Sequence, residues 1–75
     1  MVRVFSTPAC PYCFTLREFL KDNKIEFEDI DVASDDKARE EMIEKSGQMG
    51  VPVIDINGEF IVGFEKGKIS KLLGI

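Results

Sequence analysis

Valine at positions 2 and 4, followed by Phe5, makes a short β-branched run that stops at Ser6-Thr7-Pro8, where proline removes a ladder donor. A first strand is expected over residues 2 to 6. From Pro11 the period changes: Leu16, Phe19 and Leu20 fall at i, i+3 and i+4, while Arg17, Glu18, Lys21 and Asp22 take the other face. Pro11 suits the first turn of this helix, where its missing amide would lack a partner anyway, and Asn23-Lys24 ends it. Between Ile25 and Val32 the apolar positions switch phase, and a strand is expected over 26 to 30. Ser34 is the expected N-cap of a second helix, with Asp35 and Asp36 set favourably against the positive end of its dipole. Ala38, Met42 and Ile43 form its apolar face, and Gly47 after Lys45-Ser46 offers a left-handed cap.

The strongest local signal follows. Val53 to Ile56 and Glu59 to Val62 are β-rich runs joined by Asn57-Gly58, the preferred pair for a type I′ hairpin turn. Ile69, Leu72 and Leu73 then mark a short closing helix flanked by Lys66, Lys68 and Lys71. The expected order is β-α-β-α-β-β-α. Its first two strands should be parallel with a right-handed crossover, and its last two antiparallel. This is an α/β fold with a four-stranded mixed sheet and three helices, in one domain over residues 1–75, with no repeat, linker or low-complexity tract.

Composition narrows the partners. Ten Lys and Arg against fourteen Asp and Glu give a formal net charge of -4, which opposes nucleic-acid binding through a phosphate-neutralising face. Residues 26 to 44 concentrate nine acidic residues against Lys37 and Arg39, a pattern read as a solvated face. Apolar stretches such as Val51 to Ile54 are far shorter than the roughly 18 residues a bilayer span needs. The amino terminus, Met1-Val2-Arg3-Val4-Phe5, has none of the layout of a signal peptide, so a cytoplasmic location is expected, with no membrane contact.

The two cysteines carry the chemistry. A bridge between Cys10 and Cys13 closes too short a loop to constrain much unfolded chain, so the pair reads as redox chemistry rather than a structural staple. Two cysteines with two residues between them, at the start of a helix, can close a reversible disulfide. Cys10 faces the unpaired amides of the opening turn, which stabilise negative charge on its sulfur, and is read as the nucleophile. Cys13, one turn along and inside the helix, is read as the more buried resolving thiol. No Lys, Arg or His lies among residues 4 to 16, so a cation can assist only from elsewhere in the fold. Zinc is not expected within one subunit, because a closed site takes four ligands and the chain has no third cysteine and no histidine. Met42 and Met49 are read as core or loop filler rather than metal ligands.

These motifs together resemble the glutaredoxins, over essentially the whole chain. Cys10-Pro11-Tyr12-Cys13 is identical to the common dithiol motif of that family, and Gly50-Val51-Pro52 is similar to its Thr-Val-Pro segment. The resemblance implies a thioredoxin-like fold and a dithiol thiol-disulfide oxidoreductase, an electron carrier with no bound organic cofactor that reduces protein disulfides and accepts glutathione as a co-substrate. It implies a cis Pro52 beside the cysteines, a Val51 backbone open to strand-like pairing with substrate, an exposed Tyr12 that stacks on substrate, and Gln48 on the substrate side. Where glutathione-using members usually carry a lysine before the first cysteine, this chain has Thr7. In place of a Gly-Gly-x-Asp-type turn it has Gly63-Phe64-Glu65-Lys66, in which Gly63 and Glu65 can still serve glutathione. Phe64 with its lysine is more like the redoxins that take electrons from thioredoxin reductase and feed ribonucleotide reductase. A monomer is expected. The alternative is an iron-sulfur cluster carrier in which Cys10 from two subunits bridges a cluster, with glutathione completing the ligation; Pro11 counts against it by the same resemblance.

Overall fold

The β-branched run at the amino end forms β1 (Val2–Ser6), and in the computed structural model, which describes residues 1–75, this strand lies inside the sheet. The elements continue as α1 (Pro11–Asp22), β2 (Glu28–Asp31), α2 (Asp36–Ser46), β3 (Val53–Ile56), β4 (Glu59–Val62) and α3 (Lys66–Leu73). The sheet order is β2-β1-β3-β4, with β1 parallel to β2 and antiparallel to β3, and β3 antiparallel to β4. The fold is thioredoxin-like, the expected mixed sheet with three helices.

Each face of the sheet buries its own apolar set, as the two-residue period of a strand requires. Val2, Val4, Ile54, Ile56 and Ile61 meet Leu16 and Leu20 of α1 and Ile69 of α3. Phe5 and Val53 meet Met42 of α2 on the opposite face, with Val32 completing the cluster. The exposed edge β2 carries Glu28, Asp29 and Asp31, charges that discourage pairing with another chain. Asn57 and Gly58 both have positive φ, 52° and 96°, the geometry of the expected type I′ turn. No helix is long and apolar enough to cross a membrane.

Two boundaries differ from expectation. The second strand is Glu28–Asp31 rather than 26 to 30, because its extent is set by pairing: Arg3 to Ser6 of β1 lie opposite residues 28 to 31. The N-cap of α2 is Asp35, not Ser34; the Asp35 carboxylate accepts from the Ala38 amide at 3.0 Å. Ser34 is still in the preceding turn, where its amide and that of Asp35 both donate to the Asp31 carbonyl. Gly47 caps the other end of α2 in the left-handed conformation, φ 77°.

Candidate active site

Antiparallel pairing of Phe5 with Val53, and of Val53 with Val62, brings the end of β1, the start of β3 and the end of β4 to one edge of the fold. Thr7 to Cys10, Val51-Pro52 and Gly63 therefore share that end. The Val51–Pro52 peptide bond is cis, and the Gly63 amide donates to the Pro52 carbonyl at 2.8 Å, tying two of these segments together.

Cys10 is itself the N-cap of α1, in extended conformation, with Pro11 opening the helix. Its carbonyl accepts from the Phe14 amide, and its sulfur accepts from the Cys13 amide at 3.2 Å. The thiol thus stands where a cap oxygen usually does and meets a backbone donor of the first turn. Both thiols are free. Cys10 is half-buried, whereas Cys13, on the same inward stripe as Leu16 and Leu20, has no exposed surface. Burial pushes the Cys13 thiol up to about 12, and its hydrogen bond with Cys10 adds to the rise; the Thr7 amide and, more weakly, the Arg17 guanidinium pull the other way. Two chemically identical groups three residues apart are therefore unequal, one at the surface with a donor on it and one held protonated beneath.

Arg17 supplies the cation absent from residues 4 to 16, four residues after Cys13. Its Nη1 donates to Ser6 Oγ at 3.1 Å and lies 3.7 Å from Asp29 Oδ1, while Ser6 Oγ donates to the same Asp29 oxygen at 2.8 Å. This group ties α1 to β1 and β2 just below the cysteines. Sequence reasoning missed it; the four-residue spacing from Cys13 was the available signal.

The other expected site residues are distributed unevenly. Tyr12 is 69% exposed at the first turn of α1. The Val51 N–H and C=O take no backbone partner within the chain, and Pro52 beside them is buried. The carbonyl of Thr7 accepts from the Cys10 amide. Gln48 is turned onto its own loop, its amide nitrogen donating to the Gly50 carbonyl at 3.0 Å and its oxygen accepting from the Gly50 amide. Phe64 turns inward against Phe19, ring centroids 5.5 Å apart, while Glu65 stays exposed at the start of α3. Phe14 and Met49, both exposed near the site, were not singled out for binding. No group of three or more His, Cys, Asp or Glu side chains is arranged to hold a metal ion. The largest surface hollow, about 650 Å³ between α1 and the β2 edge, contains neither cysteine, so thiol chemistry rather than volume locates the site.

The sequence profile of the glutaredoxin family matches residues 2–61. This chain belongs to the glutaredoxin family. It is 52% identical over 73 residues to a glutaredoxin-like 8.6 kDa protein in the rubredoxin operon of Clostridium pasteurianum, covering 97% of each chain. Glutaredoxin 3 of Escherichia coli is 32% identical over 62 residues, 83% of this chain and 75% of that one. Among solved structures, the thioredoxin-like protein BC3987 superposes with a TM-score of 0.90 at 33% identity, covering 96% of this chain and 99% of that one. Family and fold together support a thiol-disulfide oxidoreductase role for this glutaredoxin.

Proposed function

We propose that this glutaredoxin is a dithiol electron carrier that reduces protein disulfides through a reversible Cys10–Cys13 disulfide. The observation that carries the reading is the asymmetry of the two thiols: Cys10 capping the helix within reach of a backbone donor, Cys13 fully buried and held protonated. The Cys10 thiolate attacks a substrate disulfide, forming a mixed disulfide and releasing one substrate thiolate. Cys13 then loses its proton and attacks Cys10 Sγ, closing the protein disulfide and releasing the second substrate thiolate. Two electrons and two protons pass from the dithiol to the substrate. The high affinity of Cys13 for its proton keeps it from competing with Cys10 as the first nucleophile.

The free Val51 backbone and exposed Tyr12 receive the substrate, pairing with its chain and stacking on it. Pro52 and Gly63 shape the surface beside Cys10, with Thr7 and Gln48 at its margins. The electron donor that suits this site best is a thioredoxin reductase. Thr7 stands where glutathione-using relatives carry lysine, and Phe64 is taken up by packing on Phe19, leaving Gly63 and Glu65 as the remaining contacts for glutathione as co-substrate. The reading puts the protein in the cytoplasm as a monomer, without a bound cofactor or metal.

The test is NADPH consumption with a protein disulfide as substrate, run once with thioredoxin reductase and once with glutathione and glutathione reductase. Turnover through thioredoxin reductase, abolished in Cys10→Ser, is expected; in Cys13→Ser only exchange with small mixed disulfides should survive. Faster turnover through glutathione would reassign the donor. A coloured dimer that carries an iron-sulfur cluster and lacks turnover with either donor would replace the carrier reading.

A further inference from the structure

An open groove of about 330 Å³ runs between α1 and the start of α3. Its wall on α1 is Phe14, Glu18 and Asp22, and these follow Cys10 at four-residue intervals, so they form one slanting stripe that descends the helix from the nucleophile. Phe19 and Phe64 pack together as its floor, and Lys66 on the far wall rests its Nζ 5.6 Å over the Phe19 ring. Phe14 is 59% exposed, an aromatic surface with no role in either core cluster. Asp22 has no ion pair, and Glu18 has only an exposed one with Lys21 at 3.7 Å. The groove is therefore apolar along Phe14, one turn below Cys10, and farther along α1 it sets Glu18 and Asp22 against a single cation, Lys66, on a chain of net charge -4.

We propose that this groove docks polypeptide substrates whose reactive cysteine is followed or preceded by an apolar residue two positions away and a basic residue four positions away. The inference rests on thiol exchange at Cys10 and specifies the substrate class of that site. Spacing supplies the argument. A helix rises about 1.5 Å per residue, which puts Phe14 about 6 Å and Glu18 about 12 Å along the axis from Cys10. An extended peptide advances about 3.3 Å per residue and turns alternate side chains to one side. With its cysteine at Cys10, such a peptide lays the side chain two positions away on Phe14 and the one four positions away against Glu18, with Asp22 just beyond. A lysine or arginine there meets Asp22, which has no ion pair, and Glu18, whose exposed pair with Lys21 it can share, two carboxylates that outnumber Lys66 on the far wall; a glutamate meets their repulsion.

The experiment uses the full chain, pre-reduced, and five-residue peptides whose cysteine is joined by a disulfide to thionitrobenzoate. Attack of Cys10 on the peptide sulfur expels the coloured thiolate, so absorbance reads the first exchange step alone. Peptides carry Leu or Gly at the second position and Lys or Glu at the fourth, in series extending to either side of the cysteine. In one of the two series the Leu-and-Lys peptide should react about three- to tenfold faster than its Leu-and-Glu counterpart, the range that screened pairs and like-charge contacts give. High salt should shrink that ratio. Glu18→Lys should invert it, Glu18→Gln with Asp22→Asn should bring it to one or below because Lys66 remains, and Phe14→Ala should erase the preference for Leu over Gly; each is a ratio within one variant, so a general loss of reactivity does not mimic it. Equal rates for all peptides beside rapid reaction of Cys10 with free dithionitrobenzoate would overturn the groove and leave the exchange reading standing. No reaction with dithionitrobenzoate either would remove both.

Discussion

At the scale of single residues, position on one helical turn separates the two thiols. Cys10 ends the loop and points its sulfur at the Cys13 amide, whereas Cys13 faces the sheet and loses all contact with water. The expectation of a more buried second cysteine follows from the helix period alone; the degree of burial depends on the sheet beneath. A pH dependence of stability results. An unfolded Cys13 thiol titrates near 9.0 and the folded one near 12, so between these values the native state holds a proton that the unfolded state has released. Unfolding free energy therefore falls with rising pH across that window, and the contribution is complete only below the unfolded value. Under reducing conditions the stability of the native chain relative to Cys13→Ala should drop by roughly 1 kcal/mol between pH 7.5 and pH 10. Urea midpoints of both proteins at the two pH values check this; a constant difference would contradict it.

Among the elements, the clearest local patterns gave the most accurate expectations. β1, α1 and both arms of the hairpin have the extents that β-branched runs, helical spacing and Asn57-Gly58 imply. The misplaced start of α2 arose because Ser34 and Asp35 are both good N-cap types, and only the turn gathered on the Asp31 carbonyl decides between them. Asp35→Ala should destabilise the chain by about 1 kcal/mol in chemical denaturation. Ser34→Ala should cost markedly less, since its hydroxyl donates only to the Asp31 carbonyl, at 3.4 Å. Equal losses would move the cap back to Ser34. The shift of β2 has a different origin: the apolar phase change between Ile25 and Val32 leaves the strand undecided until β1 pairs with it.

Across the whole molecule, Arg3 joins segments that sequence analysis treats separately. From β1 its guanidinium reaches Asp55 on β3 at 2.8 Å and Glu41 on α2 through two bonds of 2.8 and 3.0 Å, and it lies 5.2 Å from the Phe5 ring centre. The hydrogen bond from Arg3 holds the Glu41 carboxyl below its usual range, and that bond raises the Arg3 guanidinium in turn. Asp55 is buried, and without Arg3 its carboxylate would keep only the Gly58 amide, at 2.8 Å. Arg3→Met should therefore cost about 2 kcal/mol or more at pH 7. A carboxyl depressed in the folded state contributes stability above its unfolded value, which is lost as pH falls through the folded one. The gap between the native chain and Arg3→Met should accordingly narrow below about pH 4.5, the unperturbed value for Glu41. A gap that widens in acid would refute the network.

By itself, the sequence determined what depends on near neighbours: the order of elements, the hairpin turn, and a Cys-x-x-Cys pair at a helix start. Periodicity, capping and turn geometry act over a few residues, so they are written in adjacent positions. Only the tertiary structure decided that Val51-Pro52 and Gly63 meet the Cys10 loop, that Arg17 sits with Ser6 and Asp29 below Cys13, and that Phe14 lies exposed along a groove while Phe64 turns inward. These arrangements follow from which strands pair and in what register. That choice belongs to the burial of two apolar faces by the whole chain, and no local spacing encodes it.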